Sequence, residues 1–173
     1  MNGIVIREEW PEDKRAIRQV VEQAFDQQVE ADIVDRLREN CPDILSLVAV
    51  QEEQIVGQIL FSPANIEGDK KAMQGMGLAP VAVMPERQRQ GIGSLLVQKG
   101  IKMLKERSCP FIIVLGHPEY YPRFGFQRAS QHGIRSHWDG IPDEAFMILI
   151  LDRSAMKDVS GVARYRSEFD EAI

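Results

Sequence analysis

Apolar residues recur along this chain with two different periods, and the alternation of those periods outlines the fold. Residues 4–7 form a short candidate strand. Pro11 then stands where a first helical residue tolerates proline, with Glu12 and Asp13 at the positive end of the helix dipole. Ile17, Val20, Val21, Ala24 and Phe25 keep a helical period to about Asp26. Ile33, Val34 and Leu37 carry a second, shorter helix that ends before Pro42. Residues 45–50 and 55–66 read as strands joined by the polar turn at Glu52, Glu53 and Gln54, and a turn around Gly68 leads to another strand. The expected result is two early helices followed by an antiparallel meander.

The longest periodic stretch covers residues 91–107. Ile92, Leu96, Gly100, Met103 and Leu104 fall on one side, widened by Leu95, Val97 and Ile101, while Gln98, Lys99, Lys102, Lys105 and Glu106 fall on the other. Such a helix is roughly 25 Å long, enough to cross one face of a sheet. Just before it, an apolar run ends at Pro85 and is followed by Gln88, Arg89, Gln90, Gly91, Ile92 and Gly93. The first turn of a helix leaves backbone N–H groups unpaired, the peptide dipoles add partial positive charge, and glycine lets an anion approach closely. Arg87 and Arg89 add two cations, with Glu86 as the nearby acid, in a chain whose net charge is -5. Leu96 occupies the place of the third small residue that a dinucleotide fingerprint needs, and no Lys followed by Ser or Thr closes a P-loop.

Residues 111–115 form an apolar run of strand length. Strand, long helix and strand in succession imply a parallel pair, with the glycine loop at the carboxyl end of the first strand. Pro80 interrupts that first strand and cannot donate a ladder hydrogen bond. Either the sheet splays there, freeing the backbone of Val81, Ala82 and Val83 for an amide-bearing ligand, or Pro80 marks a bulge at a sheet edge. Residues 116–126 read as a short helical segment that ends in Gly125 and returns to strand. Residues from Phe126 and residues 145–151 supply closing strands around a polar loop containing Trp138, Asp139 and Gly140. The tail from Asp152 is mostly polar, with Tyr165 and Phe169 as aromatic residues that would dock it.

A length of 173 residues, 44% hydrophobic and 27% charged, suits one domain over residues 1–173. The chain has no apolar run of about 18 residues and no signal-peptide pattern at its start, which predicts a cytoplasmic protein with no membrane partner. Cys41 and Cys109 read as free thiols. His132 and His137 lack a third ligand at suitable spacing, so no metal is expected. A pI near 5.3 argues against nucleic acid and permits attraction of a cationic amine. Asp26, Glu30, Asp32 and Asp35 could draw such an amine, or form a solvated acidic face.

Gln88, two residues, Gly91, one residue and Gly93, placed after a strand and opening a helix, closely resemble the acetyl-coenzyme A loop of the GNAT N-acetyltransferase superfamily. Tyr121, three residues, Gly125 and Phe126 resemble that superfamily's second motif. The resemblance is specific over about residues 76–126, the expected coenzyme-binding core. It implies an α+β GNAT (acyl-CoA N-acyltransferase) fold: a mixed, mostly antiparallel central sheet splayed between two parallel strands, with helices on both faces. It implies acetyl-CoA as co-substrate, its pantetheine arm pairing with the backbone of Val81, Ala82 and Val83. Its diphosphate would be held by Gln88, Arg89, Gln90, Gly91, Ile92, Gly93 and Ser94. Tyr121 becomes the candidate general acid for the departing thiolate, with Tyr120 as its rival in the alignment.

The general base is not assigned by the resemblance, because residues 77–84 contain no acid. His117, Glu119, His132 and His137 are the remaining candidates. The implied reaction moves an acetyl group to a primary amine of a small molecule or protein by direct attack in a ternary complex. The alternative is a non-catalytic acyl-CoA sensor or interaction module. A homodimer is compatible with the family, and the amine itself stays unspecified.

Overall fold

The computed structural model describes residues 3–68 and 70–173; Asp69, in the turn expected around Gly68, lies outside the described residues. The chain runs through β1 (Ile4–Glu8), α1 (Lys14–Phe25), α2 (Val29–Asn40), β2 (Leu45–Gln51), β3 (Gln54–Glu67) and β4 (Met73–Val83). It continues with α3 (Ile92–Glu106), β5 (Phe111–Leu115), β6 (Gln127–Arg128), β7 (Ile134–Ser136), β8 (Phe146–Ile150) and β9 (Gly161–Arg164). The described strands form one nine-stranded mixed sheet. Most of its pairings are antiparallel, whereas β4 with β5 and β7 with β9 are parallel. Among the described residues no helix is long and apolar enough to cross a membrane.

Contacts group the chain into two compact units, and β3 and β4 contribute residues to each. The first takes the chain up to Phe61, then Ala79–Lys102 and Glu168–Ala172. In it β1 pairs with β2 from Ile4↔Gln51 to Glu8↔Leu47, and β2 pairs with β3 from Leu45↔Phe61 to Gln51↔Gln54. The turn between β2 and β3 places Glu52 and Glu53 at φ 53° and 63°, the paired left-handed conformation that closes a tight hairpin. The periodic residues Ile17, Val20 and Val21 of α1 and Ile33, Val34 and Leu37 of α2 are all buried. The apolar stripe of α3 meets β3 through two glycines. A Cβ on Gly57 would lie 3.2 Å from both Ile92 and Leu96, and one on Gly100 would overlap the Phe61 ring. Missing side chains at these positions let the helix lie close to the strand.

The second unit takes Ser62–Leu78 and Met103–Ser167. There β4 pairs in parallel with β5 over Met76↔Ile112, Gly77↔Ile113 and Leu78↔Val114, the strand–helix–strand outcome expected from the sequence. β5 pairs antiparallel with β8 from Phe111↔Ile150 to Leu115↔Phe146. The end of β3 pairs antiparallel with β9 from Asn65↔Arg164 to Glu67↔Val162, and β9 pairs in parallel with β7. Two parts of this unit differ from the reading of the sequence. The polar stretch read as a loop contains β7, and the polar tail contains β9. These strands are of 3 and 4 residues, too short for an alternating pattern to register, and they exist through partners distant in sequence.

Candidate functional site

In the first unit, β4 ends at Val83, a 3₁₀ turn covers Pro85–Arg87, and α3 opens at Ile92. Arg89 at φ 64° and Gly91 at φ 85° are both left-handed. Both stand just ahead of a helix N-terminus, where N–H groups without intrahelical partners and the helix dipole suit an anion. The first backbone bond of the helix runs from the Leu95 N–H to Gly91 O, at 3.1 Å. The Gln90 N–H closes a turn over Gln88 and Arg89, whereas the N–H groups of Arg89, Gly91, Ile92 and Gly93 donate to no backbone carbonyl among the described residues. Arg89, Gln90 and Gly91 are exposed, Gly93 and Ser94 are half-buried, and Ile92 is buried beneath the loop.

Two side chains expected to help hold an anion serve the protein's own backbone and turns. Arg87 donates through Nη1 to Gln51 Oε1 at 2.7 Å and faces Glu52 at 3.8 Å, so it braces the β2–β3 turn. Gln88 Nε2 donates to Val83 O at 3.0 Å, tying the loop back onto the end of β4. Arg89, the other arginine of the loop, is exposed. Val81 and Val83 are half-buried and Ala82 is buried. The parallel pairing to β5 covers Met76–Leu78 only, whereas β4 itself runs on to Val83. Of the two readings of Pro80, this favours strands that part over a bulge at an edge. The Ala79–Pro80 peptide is cis.

Two of the acidic residues expected to draw an amine, Asp32 and Asp35, form ion pairs inside the first unit. Arg18 binds Asp32 and Asp35 at 2.7 Å each and Glu22 at 2.7 Å. Arg38 binds Asp35 at 2.9 Å and also Glu9 at 2.7 Å. Glu30 accepts from Gln27 Nε2 at 2.9 Å. Asp32 and Asp35 thus join α2 to Arg18 of α1 and stay partly exposed. The network continues inward: Ser46 Oγ donates to Glu9 at 2.8 Å, and the fully buried Gln58 donates to Ser46 at 3.1 Å.

In the second unit, Tyr121 opens the 3₁₀ turn Tyr121–Phe124, which Gly125 ends at φ 99°. Its side chain is buried among aromatic rings: Tyr120 edge-on at 5.1 Å, Phe126 at 5.7 Å and Phe124 at 6.5 Å. Gly116, just past β5, leaves room for it, since a Cβ there would stand 2.5 Å from Tyr121 Cε2. Burial, and to a lesser degree the neighbouring Tyr120, pushes the Tyr121 phenol well above the usual tyrosine range. The group therefore stays protonated through neutral pH. Tyr120 is half-buried, and the Arg123 guanidinium sits over its ring at 4.6 Å, an arrangement that suits packing.

The other sequence candidates scatter. His117 and Glu119 are exposed. His132 Nε2 lies 2.8 Å from Gln127 Oε1, and the His137 ring packs against Trp138 with centroids 4.6 Å apart. One residue assigned only to docking the tail proves central to this unit: Tyr165 is buried, with its hydroxyl on two backbone carbonyls. Its isolated position in a polar tail offered no local signal of that role.

The glycine loop before α3, the strand that outruns its parallel partner and the Tyr–x₃–Gly–Phe turn together match one protein class. The family model of the acetyltransferase (GNAT) domain matches residues 5–129, and the chain belongs to that family. It is 34% identical over 168 residues to the uncharacterized N-acetyltransferase YhbS of Escherichia coli, covering 96% of this chain and 99% of that one. It is 42% identical over 117 residues to the uncharacterized N-acetyltransferase YjhQ of Escherichia coli K12, covering 66% of this chain and 65% of that one. Among solved structures, YhbS from Escherichia coli in complex with CoA superposes with a TM-score of 0.89, covering 96% of this chain and 92% of that one. A GNAT family acetyltransferase from Brucella melitensis in complex with acetyl-CoA gives 0.78 at 35% identity, covering 98% and 100%.

Proposed function

We propose that this protein is a cytoplasmic, acetyl-CoA-dependent N-acetyltransferase acting on a primary amine, with both units belonging to one catalytic domain. The observation that carries this reading is the set of N–H groups of Gly91, Ile92 and Gly93, with that of Arg89 beside them, at the start of α3. It belongs to a GNAT family member whose relatives at 34% and 35% identity were solved with CoA and acetyl-CoA. The donor set fits a diphosphate: backbone N–H groups, a helix dipole and the Arg89 guanidinium. Acetyl-CoA would supply the activated acyl group as a thioester.

The residues of the chain then have separate tasks. Arg89 to Ser94 hold the diphosphate, and the backbone of Val81, Ala82 and Val83 pairs with the amides of the pantetheine arm. N–H groups of the same segment stabilise charge developing on the thioester oxygen. Tyr121 donates its phenolic hydrogen to the departing sulfur. Burial keeps the phenol protonated until the C–S bond breaks, so Tyr121 serves as the general acid.

The test uses two substitutions. Gly91→Glu sets a carboxylate against the anion and a side chain on a left-handed residue, and should abolish CoA binding measured by calorimetry. Tyr121→Phe should lower turnover on a responsive amine by about 10²-fold or more while sparing CoA affinity. Wild-type affinity in the first variant removes the loop from the site, and an unchanged rate in the second removes Tyr121 from the chemistry. CoA binding with no thiol release across a broad amine panel would return the chain to the non-catalytic sensor reading.

A further inference from the structure

Tyr165 follows β9 directly and lies against the place where β4 and β5 stop pairing. Its hydroxyl donates to Leu78 O at 2.9 Å and stands 3.2 Å from Ile113 O. One hydroxyl thus holds backbone groups of both strands at the final rung of the pairing, Leu78↔Val114. Its ring is seated just as closely. A Cβ on Gly77 would come within 2.5 Å of Tyr165 Cε1, so the strand lacks a side chain where the ring lies. Trp138 stacks on that ring at 5.5 Å and 17°.

Ordinary core packing calls for none of this polar detail. A phenylalanine would fill the same volume, whereas the hydroxyl satisfies backbone groups that a regular continuing ladder would pair strand to strand. The phenol sits at the rung beyond which β4 continues without β5, still beside β3, for residues 79–83, the segment assigned to the pantetheine arm.

We propose that Tyr165 is a positioning residue for coenzyme recognition: its hydroxyl fixes the rung at which β4 and β5 cease to pair, and so sets the path of β4 into Val81, Ala82 and Val83. The proposal rests on the reading that this segment pairs with the amides of the pantetheine arm. It predicts an effect confined to that arm, with the diphosphate loop unaffected.

The experiment compares wild-type protein and Tyr165→Phe by calorimetry with two ligands, CoA and 3′-phosphoadenosine 5′-diphosphate, which keeps the phosphates and lacks the arm. The expected result is an approximately tenfold loss of CoA affinity with fragment affinity held within about twofold. A general loosening of the fold would weaken both ligands alike. Equal weakening of both, or no change in either, overturns the role of Tyr165 and leaves the proposed function standing. Wild-type protein that binds neither ligand overturns both. Where Tyr165→Phe does not fold, Gly77→Ala crowds the same ring from β4 and is held to the same ratio.

Discussion

Gly116→Ala offers a sharp test of how the second unit holds Tyr121. Gly116 lies in a backbone region open to any L residue, so the substitution adds no conformational strain and isolates packing. The new Cβ would stand 2.5 Å from Tyr121 Cε2, 3.1 Å from Cδ2 and 3.4 Å from Cζ. Ordinary carbon contacts lie at about 3.5–4.0 Å, so the ring must retreat by roughly 1 Å. It has little room, because Tyr121 is only 8% exposed and the rings of Tyr120, Phe124 and Phe126 surround it. Overpacking of this kind costs about 1–3 kcal/mol, which for a chain of this size lowers Tm by roughly 2–12 °C. If the phenol serves the departing sulfur, a displacement of about 1 Å should also cut kcat by up to about 10²-fold while CoA affinity holds. Differential scanning calorimetry and steady-state thiol release measure the two effects. In a Tyr121→Leu background the alanine should be nearly neutral for stability, a coupling of at least about 1 kcal/mol. A Tm within 1 °C of wild type and no coupling to position 121, against the expected ~2 °C or more, would refute the packing argument.

Two further substitutions probe the first unit. Gly100→Ala pits helix propensity, which favours alanine by about 0.8–1.0 kcal/mol, against a Cβ that overlaps the fully buried Phe61 ring, so net destabilisation of about 1–2 kcal/mol is expected. A raised urea midpoint would show that the helix can shift on β3 at little cost. Asp13→Ala removes the acceptor of the Trp10 N–H at 2.6 Å and of Arg7 at 2.7 Å and 3.3 Å, for a loss of about 2–4 kcal/mol near neutral pH. The hydrogen bond from Arg7, followed by that from Trp10, holds the Asp13 carboxyl below its ordinary value of 3.8. The unfolded chain therefore takes up the proton first, so this contribution is complete above the ordinary value and fades as pH falls through the lower, folded one. Urea midpoints of wild type and variant should converge as pH falls below 3.8; a gap that stays constant with pH would remove the ion pair as its cause.

The local pattern determined much of this protein. Helical periods placed α1, α2 and α3 to within a few residues, because each buries a continuous stripe whose spacing is visible in one dimension. The apolar run of residues 111–115 matched β5 throughout, and the glycines before α3 and at Gly125 marked turns whose backbone has few alternatives. The turns of the loop and of the Tyr–x₃–Gly–Phe segment were legible for the same reason: their backbone geometry depends on neighbours in sequence. Only tertiary structure decided what distant partners do to a side chain. Arg87 turns to Gln51, Asp32 and Asp35 share Arg18, and two short polar segments become β7 and β9 because other strands supply their hydrogen bonds. Tyr165 shows the division most clearly. Its residue type was evident from the outset, but its hydroxyl acquires meaning only from Leu78, 87 residues away in the chain, because hydrogen bonds and packing act through space.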